Sequence, residues 1–332
     1  MNNLKRALAA MLVLASSNMV FAHGDGDHDH DDAQNHEELS VKLPFDPIYN
    51  DTNGNGEIDD EEMIDGNLRQ SDEANELFSL KPIASLGLKK GQLALTIDDG
   101  PNPRITPKIL NLLDAYNIKA TFFVVGSLVP NNAAIIREIV ARGHTVGNHT
   151  YSHNVKGITS GTIVGEVLKA HKVLTSALGQ QPSGRLLFRA PGLGWSGPKA
   201  VSLNNNSVTR NYIGPIHANL GTDAPRADWS CWSRGVSASA CADMYFRDIV
   251  NTGRGIVLAH DIVTLGKAPG KGNTLEMLKI LLAKLDQAGG IKNKSGAGVW
   301  EFVTMQQLPA LDQFEVNAVH AELGEPVAPG GQ

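Results

Sequence analysis

The sequence predicts an α/β protein, and within that class a closed or nearly closed (β/α) barrel of about seven strands preceded by a small acidic segment. Short apolar runs alternate with amphipathic stretches from about residue 88 to about residue 312. This alternation recurs roughly seven times over about 220 residues, which favours a closed or nearly closed parallel sheet. A flat doubly wound sheet is the alternative, but no Gly-rich dinucleotide-binding pattern follows the first strand.

Seven segments show the apolar pattern of buried strands, and four longer segments show the period of amphipathic helices. The predicted strands are residues 93–98, 120–126, 144–148, 185–189, 211–217, 255–259 and 299–304. The predicted helices are residues 106–117, 133–143, 162–178 and 274–289. The first helix begins with Thr106-Pro107 and the second ends at Gly143, which are common start and stop signals.

Residues 1–22 have the pattern of a secretory signal peptide. Two basic residues precede a short apolar stretch, and small residues ending at Ala22 provide a cleavage site. An uncleaved membrane anchor is the alternative. No later segment reaches the roughly 18 apolar residues of a membrane span. We therefore expect an exported protein, periplasmic or secreted, without stable insertion into a membrane.

The acidic segment contains the stretch DTNGNGEIDDEE, residues 51–62, which matches the calcium loop of an EF-hand. Gly56 stands where that loop makes its sharp turn. Two prolines precede the loop, so the preceding residues should not form a full helix. We expect one structural calcium site, and an acidic Gly-rich linker is the alternative. The predicted calcium ligands are Asp51, Asn53, Asn55, Glu57 through its carbonyl, Asp59 and Glu62.

Composition and charge separate the N-terminal segments from the main domain. Residues 23–87 contain 18 acidic and three basic residues, whereas residues 88–332 contain 17 acidic and 24 basic residues. The larger region lacks the clustered basic runs of a nucleic-acid binder, so we expect no nucleic-acid partner. The predicted segments are a signal peptide (1–22), a flexible His/Asp-rich tail (23–47), the calcium loop with an acidic helical linker (48–87), the main domain (88–312) and a C-terminal tail (313–332).

Cys231 and Cys241 are the only cysteines in the sequence. In an exported protein they are expected to form a disulfide. Two buried free thiols are the alternative. The pair flanks a short segment close to Trp229, so a bridge would brace the loop that carries this residue.

Polar residues follow most predicted strands at their carboxyl ends, where a barrel builds its active site. Asp98 and Asp99 end the first strand, and His149 and His153 follow the third. Each has a structural explanation when taken singly, but their common destination favours a functional site. The candidates after later strands are Arg189, Asp223, Asp228, Trp229 and His260.

His149 and His153 are four residues apart, so on a helical turn they would share a face and could bind one metal ion. This spacing alone is weak evidence for a metal site, because it is also common on ordinary helix surfaces. One of the two aspartates would add an oxygen ligand, a set that suits zinc or a related divalent ion and leaves positions open. The other aspartate would stay free as a general base.

These segments resemble the motifs of the polysaccharide deacetylase family (carbohydrate esterase family 4), in order, over roughly residues 90–310. The resemblance implies a distorted (β/α) barrel, which agrees with the count of about seven strands. The stretch TIDDGP has Ile97 where the family has Phe, and HTYSH matches the family's His-Ser/Thr-x-x-His fully. RAPG keeps Arg189 and Pro191 but has Gly192 in place of an aromatic residue.

The resemblance continues in the later part of the chain. DAPRADW keeps Asp228 and Trp229, although Asp223 lies too far upstream for the family's Asp-x-x-Asp-Trp, and LAH matches Leu-x-His. The resemblance implies that Asp98 is the catalytic base with Arg189 as its partner, and that the metal ligands are Asp99, His149 and His153. It implies that His260 is the general acid with Asp228 as its partner. It also implies an acetyl pocket lined by Trp229 and Leu258, and an oxyanion donor at a backbone N–H near Gly192.

The resemblance implies a metal-dependent hydrolase that removes N-acetyl groups from glycans containing N-acetylglucosamine and releases acetate. Peptidoglycan, chitin oligosaccharides and exopolysaccharide are the expected substrates, and zinc is the first choice of metal, with cobalt, manganese and nickel as alternatives. An O-acetyl xylan esterase, a non-catalytic glycan-binding protein on the same fold and a calcium- or zinc-storing periplasmic protein are the alternative functions. The sequence predicts no oligomeric state.

Overall fold

The computed structural model describes residues 78–83, 87–180, 184–261, 274–308 and 311. The predicted signal peptide, His/Asp-rich tail, calcium loop and C-terminal tail lie outside these residues and stay predictions.

Strands and helices alternate along the described chain, as predicted. The strands are β1 (Phe78–Ile83), β2 (Gln92–Asp98), β3 (Thr121–Val124), β4 (Thr145–Asn148), β5 (Leu186–Leu187), β6 (Tyr212–Ile216), β7 (Gly255–His260) and β8 (Glu301–Phe302). The α-helices are α1 (Thr106–Ala115), α2 (Ala133–Ala141), α3 (Ile163–Leu178), α4 (Gly197–Asn204), α5 (Asp228–Ser233), α6 (Ala238–Thr252), α7 (Thr274–Gln287) and α8 (Lys292–Ser295). This order confirms the α/β class.

The strands form two sheets in which every pairing between named strands is parallel. One sheet has the order β4-β3-β2-β7, with β8 beside the first residues of β2, and the other has the order β1-β6-β5. Single parallel bridges join Asn148 to Phe188 and Leu220 to Val257, so the two edge strands of the larger sheet, β4 and β7, contact the segments that follow β5 and β6 of the smaller one. Closure of the strands into a barrel stays a prediction.

Alternating side chains along β2 explain how this strand serves both the core and a site. Leu93, Leu95 and Ile97 belong to the apolar cluster that packs the larger sheet against helices. Because successive residues of a strand face opposite ways, Thr96 and Asp98 lie on the other face. That face meets the smaller sheet, so a carboxylate at the carboxyl end of β2 lies between the two sheets.

The space between the sheets is filled by a second apolar cluster. Phe123 of β3, Leu187 of β5, Ile213 of β6 and Leu258 of β7 are all buried in it. These apolar side chains lie between the sheets, and the polar residues that follow the strands lie beside them at the carboxyl ends.

β1 lies near the end of the segment predicted as a calcium loop and acidic helical linker (48–87), and it corrects the helical part of that prediction at residues 78–83. Residues 78–83 form a strand that pairs with β6, and Phe78 packs edge-on against Phe188 with ring centroids 5.4 Å apart. Pro82 lies within this stretch, and β1 is an edge strand of its sheet, where proline is tolerated.

Helix boundaries follow local sequence signals. Pro107 occupies the first turn of α1, where a missing N–H costs nothing. α3 ends at Gly179, whose φ of 70° favours glycine. Ser237 caps α6 by accepting a hydrogen bond from the Ala240 N–H. Among the described helices, none has the length and apolar character needed to cross a membrane.

Cys231 of α5 and Cys241 of α6 form a disulfide, which confirms the predicted pairing. Both residues are fully buried in the cluster below the helices. The bridge ties the short helix that begins at Asp228 to the longer helix that follows it.

We expect the double variant Cys231→Ala/Cys241→Ala to lose about 2–4 kcal/mol of unfolding free energy, because a cross-link restricts the unfolded chain. Urea unfolding of the two proteins measures the difference. Thiol titration of the unfolded, unreduced wild type should find no free thiol, and two titratable thiols would contradict the bridge.

Candidate active site

The carboxyl ends of β2, β4 and β7 bring the candidate residues together. Asp98 and His260 are the last residues of β2 and β7, and they are direct partners in the parallel register. His149 immediately follows β4, and its N–H donates to the Val124 carbonyl of β3. The order of strands in the larger sheet therefore places the candidate base Asp98, the candidate acid His260 and the candidate metal ligand His149 at one rim.

The turn after β2 separates the two adjacent carboxylates. Asp98 ends the strand and is 2% exposed, whereas Asp99 has a φ of 73° and leaves the strand direction. This left-handed conformation is one that Asp adopts more readily than most residues. As a result the two side chains face different partners, Asp98 toward Arg189 and Asp99 toward the histidines.

Asp99, His149 and His153 present ligand atoms that all lie within 4.8 Å of one another. Asp99 Oδ1 is 3.5 Å from His149 Nε2 and 3.1 Å from His153 Nε2. Burial by itself raises the pKa of Asp99, but the two imidazoles lower it well below its ordinary value, so the group is an anion. One carboxylate and two imidazoles that leave further positions open are a donor set for a catalytic divalent metal.

Hydrogen bonds around this triad fit a metal. His149 Nδ1 is 2.8 Å from the Arg189 carbonyl, and because a carbonyl only accepts, Nδ1 carries the hydrogen. In the neutral ring Nε2 then directs a lone pair at the cluster, as in metal-binding histidines. Asp99 Oδ1 is buried and has no hydrogen bond of normal geometry among the described residues. Carboxylate and imidazole ligand atoms that converge in this way form a candidate site for a divalent cation.

The loop that carries both histidines corrects one prediction. Residues 149–153 are not a helical turn, since the structure assigns them no helix and Thr150 and His153 have φ of 66° and 54°. Glu166 of α3 accepts hydrogen bonds from the N–H groups of Tyr151 and Ser152 and so fixes the loop. The two imidazole centroids still lie 4.9 Å apart, so the loop achieves the convergence that a helical turn was predicted to give.

Arg189 is fully buried and pairs with Asp98, as predicted, with Nη1 2.8 Å from Asp98 Oδ1. The same nitrogen donates to Thr96 Oγ1 at 2.7 Å, and Nε donates to the Ile216 carbonyl at 2.9 Å. The guanidinium also lies over the Phe123 ring, 4.3 Å from its centroid. The buried guanidinium of Arg189 is therefore paired with hydrogen-bond acceptors and an aromatic ring, and its bond to Asp98 holds that carboxylate in one orientation.

Asp228 and His260 form the second ion pair of the site, also as predicted. His260 Nδ1 is 2.6 Å from Asp228 Oδ1, and the His260 N–H donates to Asp228 Oδ2 at 2.8 Å. Burial by itself lowers the pKa of His260, but the charge of Asp228, with Asp99 and Asp98 beyond it, raises the pKa to about 10. In the metal-free protein these charges therefore favour the protonated form of the ring.

The predicted substrate-pocket residues differ in exposure. Trp229 is half-buried, and its backbone N–H donates to Asp228 Oδ1 at 2.8 Å. Leu258 is 3% exposed, two residues before His260 on the same face of β7. Gly192 is exposed with a φ of 58°, and its neighbour is Val155. Asp223, the upstream acid, pairs with Arg226 at the surface and takes no part in the site.

Sequence reasoning missed Asp261, although this residue directly follows His260. It is buried, its backbone N–H donates to the Asp98 carbonyl at 2.8 Å, and its carboxyl group accepts hydrogen bonds from the Asn102 N–H and the Thr106 hydroxyl. Burial raises the pKa of Asp261 to about 7, although those hydrogen bonds lower it. Asp261 thus holds the turn that carries both catalytic-site aspartates.

Gly100 explains why this turn accepts a neighbouring carboxyl group. A Cβ at Gly100 would lie 2.6 Å from Asp261 Oδ2, which is too close for any other residue without movement. Glycine at position 100 is therefore favoured by packing against Asp261 as well as by turn formation.

Comparison with known proteins agrees with this geometry. A family model described as polysaccharide deacetylase matches residues 86–209. The chain is therefore similar to the polysaccharide deacetylases. The match includes Asp98, Asp99, the two histidines and Arg189, but it ends before Asp228 and His260, whose place in the site depends on the geometry above.

Two curated relatives carry names of the same kind. A peptidoglycan-N-acetylglucosamine deacetylase of Bacillus cereus is 30% identical over 150 residues, which are 38% of this chain and 54% of the relative. A chitooligosaccharide deacetylase of Bradyrhizobium is 44% identical over 87 residues, which are 26% of this chain and 40% of the relative. The chain thus spans about half the length of the curated relatives it matches.

A solved structure shares the fold. A mutant of a CE4 family pseudoenzyme from Bacillus anthracis superposes with a TM-score of 0.51 at 24% identity, covering 69% of this chain and 71% of that chain. This likeness concerns the fold alone.

We expect Asp99→Asn to weaken Zn²⁺ or Co²⁺ binding by at least about tenfold, since one carboxylate ligand charge is lost. Asp223→Asn makes the same chemical change at the surface and is the matched control. Titration calorimetry of the metal-free proteins measures both affinities. Equal affinities in the two variants would remove Asp99 from the ligand set.

We expect Asp228→Asn to lower the pKa of His260 from about 10, because its nearest negative charge disappears. Because the folded pKa of His260 lies above its unfolded pKa near 6.5, protonated His260 stabilises the fold fully below about pH 6.5. This stabilisation disappears as pH rises through the folded pKa. In Asp228→Asn the folded pKa is lower, so the stabilisation should disappear at a lower pH. Histidine NMR titration of the metal-free chain checks the shift.

His144 provides the internal reference for that titration. It is buried away from the site, and burial lowers its pKa to about 4. Its titration should be the same in both proteins. A His260 pKa that is unchanged in Asp228→Asn would contradict the assigned ion pair.

Proposed function

We propose that the protein is a metal-dependent hydrolase that removes N-acetyl groups from N-acetylglucosamine-containing glycans and releases acetate. One observation carries the proposal. A three-residue metal cluster lies next to a buried carboxylate paired with Arg189 and near an imidazolium paired with Asp228. Hydrolysis of an amide needs a Lewis acid, a base for water and an acid for the leaving amine, and this rim supplies residues for each role.

The metal ligands are Asp99, His149 and His153 in this proposal, and zinc is the metal that this donor set suits first. Cobalt, manganese and nickel are the alternatives, because imidazole and carboxylate accept all of them. A divalent metal bound there supplies Lewis acidity toward the amide carbonyl and toward water.

Asp98 is the proposed general base. Its Oδ1 is bound by Arg189, which leaves Oδ2 on the side of the metal cluster, 3.6 Å from His149 Nε2. A water molecule that attacks the carbonyl next to the cluster is therefore within reach of Oδ2, which takes its proton. Arg189 fixes the carboxylate rotation so that the second oxygen faces the reacting atoms.

His260 is the proposed general acid. Its Nδ1 is held by Asp228, so Nε2 is the nitrogen free to give a proton to the departing amine. The raised pKa supports a ring that is protonated when the amide bond breaks. A backbone N–H near Gly192 is the proposed donor to the oxyanion, and Trp229 and Leu258 are the proposed walls of the acetyl pocket.

The relatives' names support N-acetylglucosamine glycans as the substrate class, with peptidoglycan and chitin oligosaccharides as the first two candidates. The disulfide supports an exported protein, periplasmic or secreted, because such bridges persist in oxidising compartments. An O-acetyl xylan esterase would use the same residues on an ester, and substrate comparison separates the two activities.

We expect the wild-type protein loaded with Zn²⁺ or Co²⁺ to release acetate from N-acetylglucosamine oligosaccharides, and a chelator to abolish the release. Asp98→Asn should lower kcat by about 10²–10⁴, the range for loss of a general base, while metal binding is retained. Acetate assay and calorimetry give the two readouts.

The contrary outcomes are specific. Near-normal turnover in Asp98→Asn would remove Asp98 as the base. Acetate release only from acetylated xylan would favour the esterase. Tight glycan binding with no acetate release from any substrate would favour the non-catalytic alternative.

A further inference from the structure

The carboxylate of Asp228 is fixed by four hydrogen bonds. His260 Nδ1 donates to Oδ1 at 2.6 Å, and the backbone N–H of Trp229 donates to the same oxygen at 2.8 Å. The His260 N–H and the Thr274 hydroxyl donate to Oδ2 at 2.8 and 2.9 Å. Three of these donors belong to residues already placed in or beside the site, and the fourth, Thr274, begins α7, a helix with no other part in it.

The direction of the Thr274 hydroxyl hydrogen follows from its second contact. Trp232 Nε1 lies 3.1 Å from Thr274 Oγ1, and an indole nitrogen can only donate. The hydroxyl oxygen accepts that hydrogen, so its own hydrogen is free to go to Asp228. Thr274 and Trp232 are 0% and 2% exposed, and water therefore does not compete for either bond.

A chain of hydrogen bonds thus runs from the indole of Trp232 through the hydroxyl of Thr274 to the carboxylate of Asp228, which binds the imidazole of His260. Trp232 is four residues after Asp228 on α5, so the two side chains are one helical turn apart. Thr274 connects this helix to α7. Without the hydroxyl, Oδ2 would keep only the backbone N–H of His260, and the Trp232 donor would lose its acceptor.

We propose that Thr274 is a positioning residue, whose hydroxyl, oriented by Trp232, fixes the rotation of the Asp228 carboxylate and through it the ring of His260. The inference rests on the proposed function only where His260 acts as the proton donor. Thr274 does not touch the reacting atoms, so its loss should affect the proton-transfer step and leave substrate binding unchanged.

The test compares Thr274→Val, which removes the hydroxyl, with Thr274→Ser, which keeps it. We expect kcat for acetate release from N-acetylglucosamine oligosaccharides to fall about 10–100-fold in Thr274→Val with KM within twofold, the loss of a hydrogen bond to a charged group. Thr274→Ser should stay within about threefold of wild type. Thr274→Ala gives the same reading if Thr274→Val does not fold.

A second readout does not depend on activity. In the metal-free wild type, the His260 Nδ1 hydrogen bonded to Asp228 should give a downfield proton resonance, assigned by its absence in His260→Ala. We expect this resonance to broaden or disappear in Thr274→Val and to persist in Thr274→Ser. Because this signal reports the ion pair directly, it tests Thr274 even if the protein releases no acetate.

Thr209→Val is the matched control, since Thr209 is equally buried and its hydroxyl donates to the Leu203 carbonyl outside the site. It should lose stability without changing kcat or the resonance. The proposal is overturned if Thr274→Val retains both kcat and the resonance. It is also overturned if Thr274→Ser loses them equally, or if Thr209→Val reduces them as much.

Discussion

The buried guanidinium of Arg189 is the charge on which the arrangement of the site depends. A full positive charge without water requires partners on every side, and here Asp98 and the carbonyls of Ile216 and His217 supply them. The carbonyl of the same residue accepts the Nδ1 hydrogen of His149. One residue therefore orients both the proposed base and a proposed metal ligand, and the larger and smaller sheets meet through its contacts.

The negative charges of the site are kept apart by separate partners. Asp98 faces Arg189, Asp99 faces the two histidines and Asp228 faces His260. Three carboxylates that shared one partner would raise one another's pKa and lose their distinct roles. Separate pairing gives the proposed base and the proposed acid their own partners at one rim, as the proposed reaction requires.

The sequence was sufficient to predict the α/β class, most strands and long helices, and the ion pairs Asp98–Arg189 and Asp228–His260, because periodicity and the family motifs are both local signals. It was insufficient for β1, since proline and weak alternation conceal an edge strand that long-range pairing stabilises.

Contacts between distant segments account for the other omissions. Asp261 binds a turn more than 150 residues earlier, with a separation of 155 residues to Thr106. Thr274 reaches Asp228 across 46 residues. Neither contact has a spacing that a single sequence can reveal. The loop after β4 was predicted as a helical turn from the four-residue spacing of its histidines. Its left-handed residues Thr150 and His153 are not glycines, so nothing local marks the departure from a helix.

The positive φ values at Asp99, Thr150 and His153 affect how a systematic alanine scan of this rim should be interpreted. Asp and His adopt the left-handed region more readily than alanine, so alanine at Asp99 or His153 adds a backbone cost to any loss of side-chain function. At Thr150 it adds none, because β-branched residues are themselves disfavoured there. Asp99 and His153 would therefore register as sensitive partly for a reason unrelated to ligand chemistry. Asparagine tolerates the left-handed region better than alanine, so replacements by asparagine report side-chain function more directly.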